Sequence, residues 1–236
     1  MQLLQEAVPS VKFRFVCATR ETREDFAIKT PLGRSLALHR SSLVELRLFP
    51  SNSTGLPMLY NIAIREAAAD PAILLFVHDD VLLCDIFWPQ NVFAGLQVFE
   101  IMGVAGNKRR LPNQPSWYFR DVDFQCDAQE NLSGAIGHGE GFPPQDITLY
   151  GPPCQQVKLL DGVLLIANSP TLHMHGLRFD ERFDFHFYDL DFCRQAELRN
   201  VRLGTWTISV VHQSRGMLGT PSWRAAYASY LQKWGS

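Results

Sequence analysis

The segment that most constrains the fold is a nearly unbroken apolar run at Ile73–Val77. Such a run predicts a strand that is buried on both faces, as a central strand of a parallel sheet is. The run leads without a break into His78-Asp79-Asp80. Because ligands bind outside the carboxyl ends of strands in open α/β sheets, these three polar side chains stand where a ligand would bind.

Strand-like and helix-like segments alternate through the first half of the chain. Residues 11–18 and 44–49 have strand composition, and the second segment stops at Pro50. Helices are predicted around residues 59–67 and 90–100, and a short strand at 102–105. This alternation implies right-handed crossovers and a doubly wound α/β architecture. It also puts Thr19 at the end of the first strand.

The second half of the chain is less regular. Residues 108–153 are rich in Pro, Gly, Asn, Gln and aromatics, and we predict an irregular segment that is functional or mobile. A strand pattern returns at 156–166, interrupted by Asp161-Gly162. We then predict a helix at 188–200, an extended segment ending in His212, and a last helix opened by Thr220-Pro221.

Composition excludes several classes of protein. The net charge of −2 gives no electrostatic reason to propose a nucleic-acid partner. No stretch approaches the roughly 20 apolar residues that cross a bilayer, and residues 1–10 lack the pattern of a signal peptide. Five cysteines without CxxC spacing indicate reduced thiols, so we expect a cytoplasmic protein. Peripheral membrane association stays open.

The His78-Asp79-Asp80 segment is the first candidate site. Two adjacent carboxylates repel each other and need a cation or a hydrogen-bond network. A divalent ion such as Mg²⁺ or Mn²⁺ prefers oxygen ligands and commonly joins a protein carboxylate to a substrate phosphate. The alternative, at even odds from the residues alone, is that one aspartate caps a following helix.

Asp189 and Asp191 form the second candidate site, at the predicted start of a helix. A carboxylate there could act as a general base toward an acceptor hydroxyl. Residues two apart on a helix face different directions, so the two are not expected to share one role. The alternative is that at least one of them caps the helix and complements its dipole.

Two further features carry weaker signals. His212 ends a β-branched run, where it could bind a metal or a phosphate, or serve only as a satisfied polar residue. Trp117, Tyr118 and Phe119 could stack on a sugar or a base, or anchor the long irregular segment by packing.

In order and spacing, these segments resemble inverting glycosyltransferases with the GT-A fold, of the glycosyltransferase-like group related to family 2. The likeness extends from about Phe13 to Gly216. It is carried by Asn52-Ser53 through Asn61, Phe76-Val77-His78-Asp79-Asp80-Val81, Gly103-Val104-Ala105-Gly106, Leu160-Asp161-Gly162-Val163, Phe179-Asp180-Glu181-Arg182-Phe183, Tyr188-Asp189-Leu190-Asp191-Phe192-Cys193 and Val211-His212.

The resemblance implies a metal site and a base. His78-Asp79-Asp80 stands in place of the metal-binding DxD motif, with His78 at the position of its first aspartate. Asp80 is then the ligand of Mn²⁺ or Mg²⁺, or Asp79 if the register shifts by one, and His212 completes the site. Asp189 matches the catalytic base, although Tyr188 replaces the glutamate that precedes it, so Asp191 stays an alternative.

The resemblance also implies how the donor is held. Thr19 and Asn52 fall where the nucleotide base and ribose bind, His78 and Asp79 lie at the diphosphate, and Asp161-Gly162 marks where donor and acceptor sugars meet. The chain would form one GT-A-like domain of mixed sheet flanked by helices. Residues 11–107 would bind the nucleotide sugar, 108–155 would form an irregular acceptor-side region, and 156–236 would form the catalytic half with its C-terminal helix.

The implied reaction is a single displacement that inverts the anomeric carbon. The donor is a nucleoside-diphosphate sugar, and the acceptor is a hydroxyl of a glycan, as in polysaccharide biosynthesis, or of a lipid-linked glycan or protein. Two other readings stay open. One is a non-catalytic sugar- or nucleotide-binding protein of the same fold, and the other is a nucleotidyltransferase, disfavoured because no Gly-rich phosphate loop followed by lysine lies near the first strand.

Overall fold

A computed structural model describes residues 11–214 and 216–235. The predicted absence of a signal peptide concerns residues 1–10 and lies outside the described residues. The strands are β1 (Phe13–Ala18), β2 (Val44–Phe49), β3 (Ile73–Val77), β4 (Val81–Leu83), β5 (Ile101–Gly103), β6 (Ala105–Asn107), β7 (Leu132–His138), β8 (Asp146–Gly151), β9 (Gln156–Val157), β10 (Leu159–Leu160), β11 (Leu164–Asn168), β12 (Leu203–Thr205) and β13 (Val210–His212). The helices are α1 (Arg23–Lys29), α2 (Pro31–Leu36), α3 (Leu56–Glu66), α4 (Trp88–Leu96), α5 (Ser169–Met174), α6 (Tyr188–Leu198) and α7 (Pro221–Trp234), with a 3₁₀ turn at Gln129–Asn131.

The predicted buried strand β3 lies inside a seven-stranded sheet of order β2-β1-β3-β11-β5-β12-β9. All of its residues are buried, as the apolar run predicts. Its two neighbours differ in direction: β1 is parallel to β3, and β11 is antiparallel. The sheet is therefore mixed, as the GT-A resemblance implies, and not the parallel sheet that the apolar run alone suggests.

A second sheet of six strands, in which β8 pairs with β7, stands beside the first. The chain passes from one sheet to the other at Val104, which separates β5 in the large sheet from β6 in the small one. The prediction of one short strand at 102–105 is therefore wrong. Small side chains at Gly103, Ala105 and Gly106 allow this sharp transition because they leave room for neighbouring strands.

The prediction that residues 108–153 are irregular is wrong for much of the segment. It contains β7 and β8, which pair antiparallel. The glycines of β7 hide it from sequence analysis, because Gly lowers strand propensity. Gly134 has φ +96°, and a Cβ there would overlap the Val104 carbonyl oxygen, so close approach to β6 requires glycine.

The helices α3, α4, α6 and α7 lie close to their predicted positions, whereas the short helices α2 and α5 were not predicted. Thr220 caps α7 by accepting a hydrogen bond from the Trp223 N–H at 3.3 Å, and Pro221 occupies the first helical position, as predicted. Phe187, just before α6, has a left-handed backbone with φ +67°. Among the described residues, no helix combines the length and apolar character needed to cross a membrane.

Candidate active site

A cleft of about 850 Å³ opens beside the carboxyl end of β3. We call it the central cleft. Its walls come from the turn after β3, the β7–β8 hairpin, the turn after β10, the start of α6 and the segment after β13. It is lined by five of the predicted site residues: His78, Asp161, Gly162, Asp189 and His212.

The turn between β3 and β4 directs its polar side chains to different partners. The Val81 N–H donates to the His78 carbonyl at 3.4 Å and closes the turn. Asp79 Oδ2 accepts a 2.6 Å hydrogen bond from the Thr19 hydroxyl, whereas Asp80 faces His212. Because a strand follows this turn, the alternative that one aspartate caps a helix is wrong.

His78, Asp80 and His212 form a cluster in which one donor atom from each lies within 4.8 Å of the others. Asp80 Oδ1 and His212 Nε2 are 3.3 Å apart, at ion-pair distance but outside hydrogen-bond geometry. Asp80 Oδ1 is buried and has no hydrogen-bond partner among the described residues. Such an oxygen is costly to bury unless a cation or water satisfies it, so this donor set fits a divalent metal ion.

Asp80 and the neighbouring imidazoles shift each other's pKa values toward the charged forms of Asp80 and His212. Burial alone would raise the pKa of Asp80, but His212 and His78 outweigh it and lower this pKa to about 2. Burial alone would lower the pKa of His212, but the Asp80 carboxylate outweighs it and holds this pKa above its usual value. Asp80 is therefore ionised at neutral pH and available as an anionic ligand.

Tyr188 fixes the orientation of His78. The Tyr188 hydroxyl donates to the Gly162 carbonyl at 2.8 Å, so it accepts from His78 Nε2, which lies 2.9 Å away. With its proton on Nε2, neutral His78 keeps a lone pair on Nδ1 for a ligand. The sequence gives no signal of this contact, because Tyr188 is 110 residues away along the chain. Phe185, also not predicted, stacks on the His78 ring with centroids 5.6 Å apart.

Asp189 faces the central cleft from the first turn of α6. Its Oδ2 accepts from the Gly162 N–H at 3.1 Å, and its Oδ1 accepts from the Leu190 N–H at 2.9 Å. Burial, together with the nearby Asp161 carboxylate, raises the pKa of Asp189 to about 7. A carboxyl group poised near neutral pH suits a general base.

Asp191 lies outside the central cleft, fully buried under α7. Its Oδ1 pairs with Lys233 Nζ and accepts from Trp234 Nε1 at 2.8 Å, and its Oδ2 accepts from Gln195 Nε2 at 2.7 Å. These partners occupy both oxygens and hold the last turn of α7. The geometry therefore favours Asp189 over Asp191 as the base.

Thr19 and Asn52 meet at the ends of β1 and β2, away from the residues that line the central cleft. The Asn52 N–H donates to the Thr19 carbonyl at 2.8 Å. The Asn52 side chain forms a local turn with Thr54, through contacts of 2.7 and 2.9 Å. Thr19 is buried and reaches the β3–β4 turn through Asp79, so it supports that turn.

The aromatic residues at 117–119 line the central cleft and also pack. Trp117 is 7% exposed and meets the Tyr150 ring edge-on at 4.7 Å. Across the cleft, Phe187 packs against Trp223 and Tyr227 of α7. The cleft thus has a polar floor at the His78 cluster and aromatic walls above it.

Comparisons with known proteins give structural matches. No family model and no curated protein sequence matches the chain. The structure is similar to GalNAc-T7 with UDP, GalNAc and Mn²⁺ (TM-score 0.53, 10% identity, 95% of this chain and 48% of that chain). It is less similar to S. aureus TarS 1–349 (TM-score 0.49, 12% identity, 86% and 60%) and to A197 from STIV (TM-score 0.48, 10% identity, 89% and 98%).

The similarity to GalNAc-T7 and the mixed sheet agree on the architecture. The chain has a GT-A-type fold. The predicted fold class is thereby confirmed. The chain spans about half of the GalNAc-T7 chain, and at this sequence identity the likeness concerns the fold alone.

Proposed function

We propose that the chain is a metal-dependent, inverting glycosyltransferase that moves a sugar from a nucleoside-diphosphate sugar to a hydroxyl acceptor. The observation that carries this proposal is one cleft lined by Asp189 together with His78 and His212, two members of the cluster that Asp80 completes. The GT-A-type fold supports it, and so does the similarity to a solved structure whose title names UDP, GalNAc and Mn²⁺.

His78, Asp80 and His212 would hold the metal ion. When bound, a divalent ion supplies Lewis-acid stabilisation of the negative charge on a leaving diphosphate. Two imidazole nitrogens beside one carboxylate oxygen suit Mn²⁺ better than Mg²⁺, which prefers oxygen ligands alone. Asp79 and Thr19 would keep the shape of the turn that presents Asp80. Thr19 and Asn52 would contact the nucleotide only if it extends beyond the central cleft, to the ends of β1 and β2.

Asp189 would act on the acceptor. Its carboxylate takes the proton of the acceptor hydroxyl while that oxygen attacks the anomeric carbon. The bond between that carbon and the diphosphate oxygen breaks on the opposite face, so the configuration inverts. Asp161 and Gly162 would lie beside the reacting sugar, and the aromatic walls would bind an acceptor glycan by stacking. Donor binding would fall to residues 11–107, acceptor binding to residues 108–155 and catalysis to residues 156–236.

A thermal-shift screen of uridine, guanosine and thymidine diphosphates, with and without Mn²⁺, tests the proposal. A ligand at about 100 times its Kd stabilises by about 2.7 kcal/mol, so the preferred base stands out. Asp80→Ala should remove the Mn²⁺-dependent shift. Asp123→Ala, on an exposed loop, is the matched control and should keep it.

Turnover separates the competing functions. We expect release of a nucleoside diphosphate from the matching sugar nucleotide in the presence of an acceptor. Pyrophosphate release from a sugar phosphate and a nucleoside triphosphate would instead assign a nucleotidyltransferase. Binding that never leads to turnover with any acceptor would assign a non-catalytic binding protein.

A further inference from the structure

A surface away from the central cleft exposes large apolar side chains. Leu38 is 84% exposed, Ile86 74% and Phe87 61%. The His39 ring contacts the Trp88 ring edge-on at 6.4 Å, and His39 Nε2 lies 3.4 Å from the Leu83 carbonyl. These contacts bring the segment after α2 against the loop before α4, so the three exposed side chains share one region. We call Leu38, Ile86 and Phe87 the apolar tip.

The apolar tip has a fixed backbone. Asp85 Oδ1 accepts from the Phe87 N–H at 2.7 Å, and Asp85 Oδ2 accepts from Asn91 Nδ2 at 2.7 Å. The loop is therefore held in a shape that presents Ile86 and Phe87 outward. Exposed side chains of this size, held together on one surface, mark a site of interaction rather than ordinary surface variation.

An apolar pocket of about 380 Å³ adjoins the apolar tip, because it is lined by the residues on either side of Leu38. Its walls are apolar, and its rim carries Arg23 and Arg40. Both arginines are exposed, and neither has an ion pair or a side-chain hydrogen bond within the described part of the chain. Two unpaired guanidinium groups beside apolar side chains are complementary to anionic headgroups above acyl chains.

The segment that carries these arginines is positively charged. Residues 20–40 contain five basic side chains and three acidic ones, a formal net charge of +2. Asp85 keeps its negative charge, since both of its hydrogen-bond donors are neutral, and Asp25 pairs with Lys29 at 3.0 Å.

We propose that the apolar tip, with Arg23 and Arg40, docks the protein onto a bilayer that contains anionic lipid. Leu38, Ile86 and Phe87 enter the boundary between headgroups and acyl chains, and the arginines contact lipid phosphates. Stable peripheral binding takes two signals, and this surface combines an apolar one with an electrostatic one. The inference concerns a surface outside the central cleft and does not depend on the proposed function.

Co-sedimentation with vesicles tests the proposal. The full chain should bind vesicles that contain phosphatidylglycerol more tightly than vesicles of phosphatidylcholine alone, and added salt should weaken the binding. Leu38→Ser combined with Phe87→Ser should weaken binding by roughly tenfold or more, and so should Arg23→Gln combined with Arg40→Gln. All four positions are exposed, so each variant should keep the parent melting temperature.

Two matched controls make the result specific. Leu149→Ser removes another exposed apolar side chain, on β8, and Arg199→Gln removes another exposed arginine. Both should bind vesicles as the parent does. Equal binding by parent and tip variants, or no preference for anionic lipid, would overturn the proposal. It would also be overturned by a dimer that forms without vesicles and is lost in Leu38→Ser, which would assign the surface to a second copy.

Discussion

Asp189 combines burial with a shifted pKa, so in its proposed role as the base it should make activity depend on pH in one direction. As a base it must be ionised, and burial with the Asp161 charge raises its pKa to about 7. We expect kcat/KM to rise as pH increases through about 7 and then to level off. Asp189→Asn should lower activity by about 10²–10⁴-fold. The measurement is a pH–rate profile with the sugar nucleotide found in the thermal-shift screen.

Donor binding is the control for Asp189→Asn. The variant should still be stabilised by the nucleoside diphosphate with Mn²⁺, because Asp189 is not part of the metal cluster. If the variant turns over as fast as the parent, or the parent profile is flat between pH 6 and 8, Asp189 is not the base.

We expect the His78 imidazole to set which metal ion the proposed site prefers. Replacing it by His78→Asp exchanges a nitrogen donor for an oxygen donor, so Mg²⁺ should become nearly as effective as Mn²⁺. Isothermal titration calorimetry of each ion into the protein, in the presence of the nucleoside diphosphate, measures this preference. Tyr188→Phe removes the hydrogen bond to His78 but leaves the donor atoms unchanged, and it should keep the preference for Mn²⁺. An unchanged preference in His78→Asp would exclude His78 as a ligand.

The sequence predicts some site residues better than others. That His78 and Asp80 follow a buried strand, and that His212 ends another, can be predicted from composition. Their proximity cannot, because β3 and β13 lie in different sheets and His212 reaches Asp80 through the pairing of β13 with β4. The choice between Asp189 and Asp191 cannot be predicted, because their spacing on a helix indicates only that the two side chains face different directions. The direction of each depends on where α7 packs, and Lys233 and Trp234 give no sign in the sequence that they reach Asp191.

At the scale of elements, the contact between α6 and α7 includes a buried ion pair between Asp191 and Lys233. Lys233→Met leaves the Asp191 carboxylate buried without its cation and should destabilise the fold by about 3–5 kcal/mol. Lys158→Met, which removes an exposed partner of Glu197, should cost about 1 kcal/mol or less. Urea unfolding of both variants measures the difference, and similar losses would show that the Asp191 pair contributes little.

The β7 strand requires glycine where its backbone comes closest to the backbone of Val104. Gly134→Ala should destabilise by at least about 2 kcal/mol, because φ is +96° and a Cβ would overlap Val104. Gly141→Ala is the matched control: a Cβ there meets nothing within 4 Å, and stability should stay within about 0.5 kcal/mol. Thermal unfolding of both variants tests this, and equal melting temperatures would contradict it.

Elements built on branched apolar residues could be predicted, whereas β7 could not. The composition of Ile73–Val77 is entirely apolar, and this alone indicates that the strand is buried. In β7, LSGAIGH, the stabilising contacts come from the backbones of β6, β8 and β13, which small side chains admit. The hydrophobicity pattern of side chains does not indicate such backbone packing. The sequence therefore predicts an irregular segment where the β7–β8 hairpin forms.

For the whole molecule, one buried apolar cluster includes residues of both sheets, among them Phe15 of β1 and Ile136 of β7. We therefore expect one cooperative unfolding transition. Far-ultraviolet circular dichroism and tryptophan fluorescence should give the same midpoint and slope in urea. Two separate transitions would instead support an independent unit within residues 11–107.

The link between Asp191 and the last turn of α7 has a consequence for biosynthesis. Synthesis proceeds from the N-terminal toward the C-terminal side of the chain, and domains begin to fold as their segments emerge. Lys233 and Trp234, which fix Asp191, emerge after every residue of the central cleft. A nascent chain can therefore form β1 to β13 and still lack the helix that packs behind α6. We therefore expect activity to require the last turn of α7, because Asp191 and the surface of α6 around it are uncovered in a chain stalled before that turn.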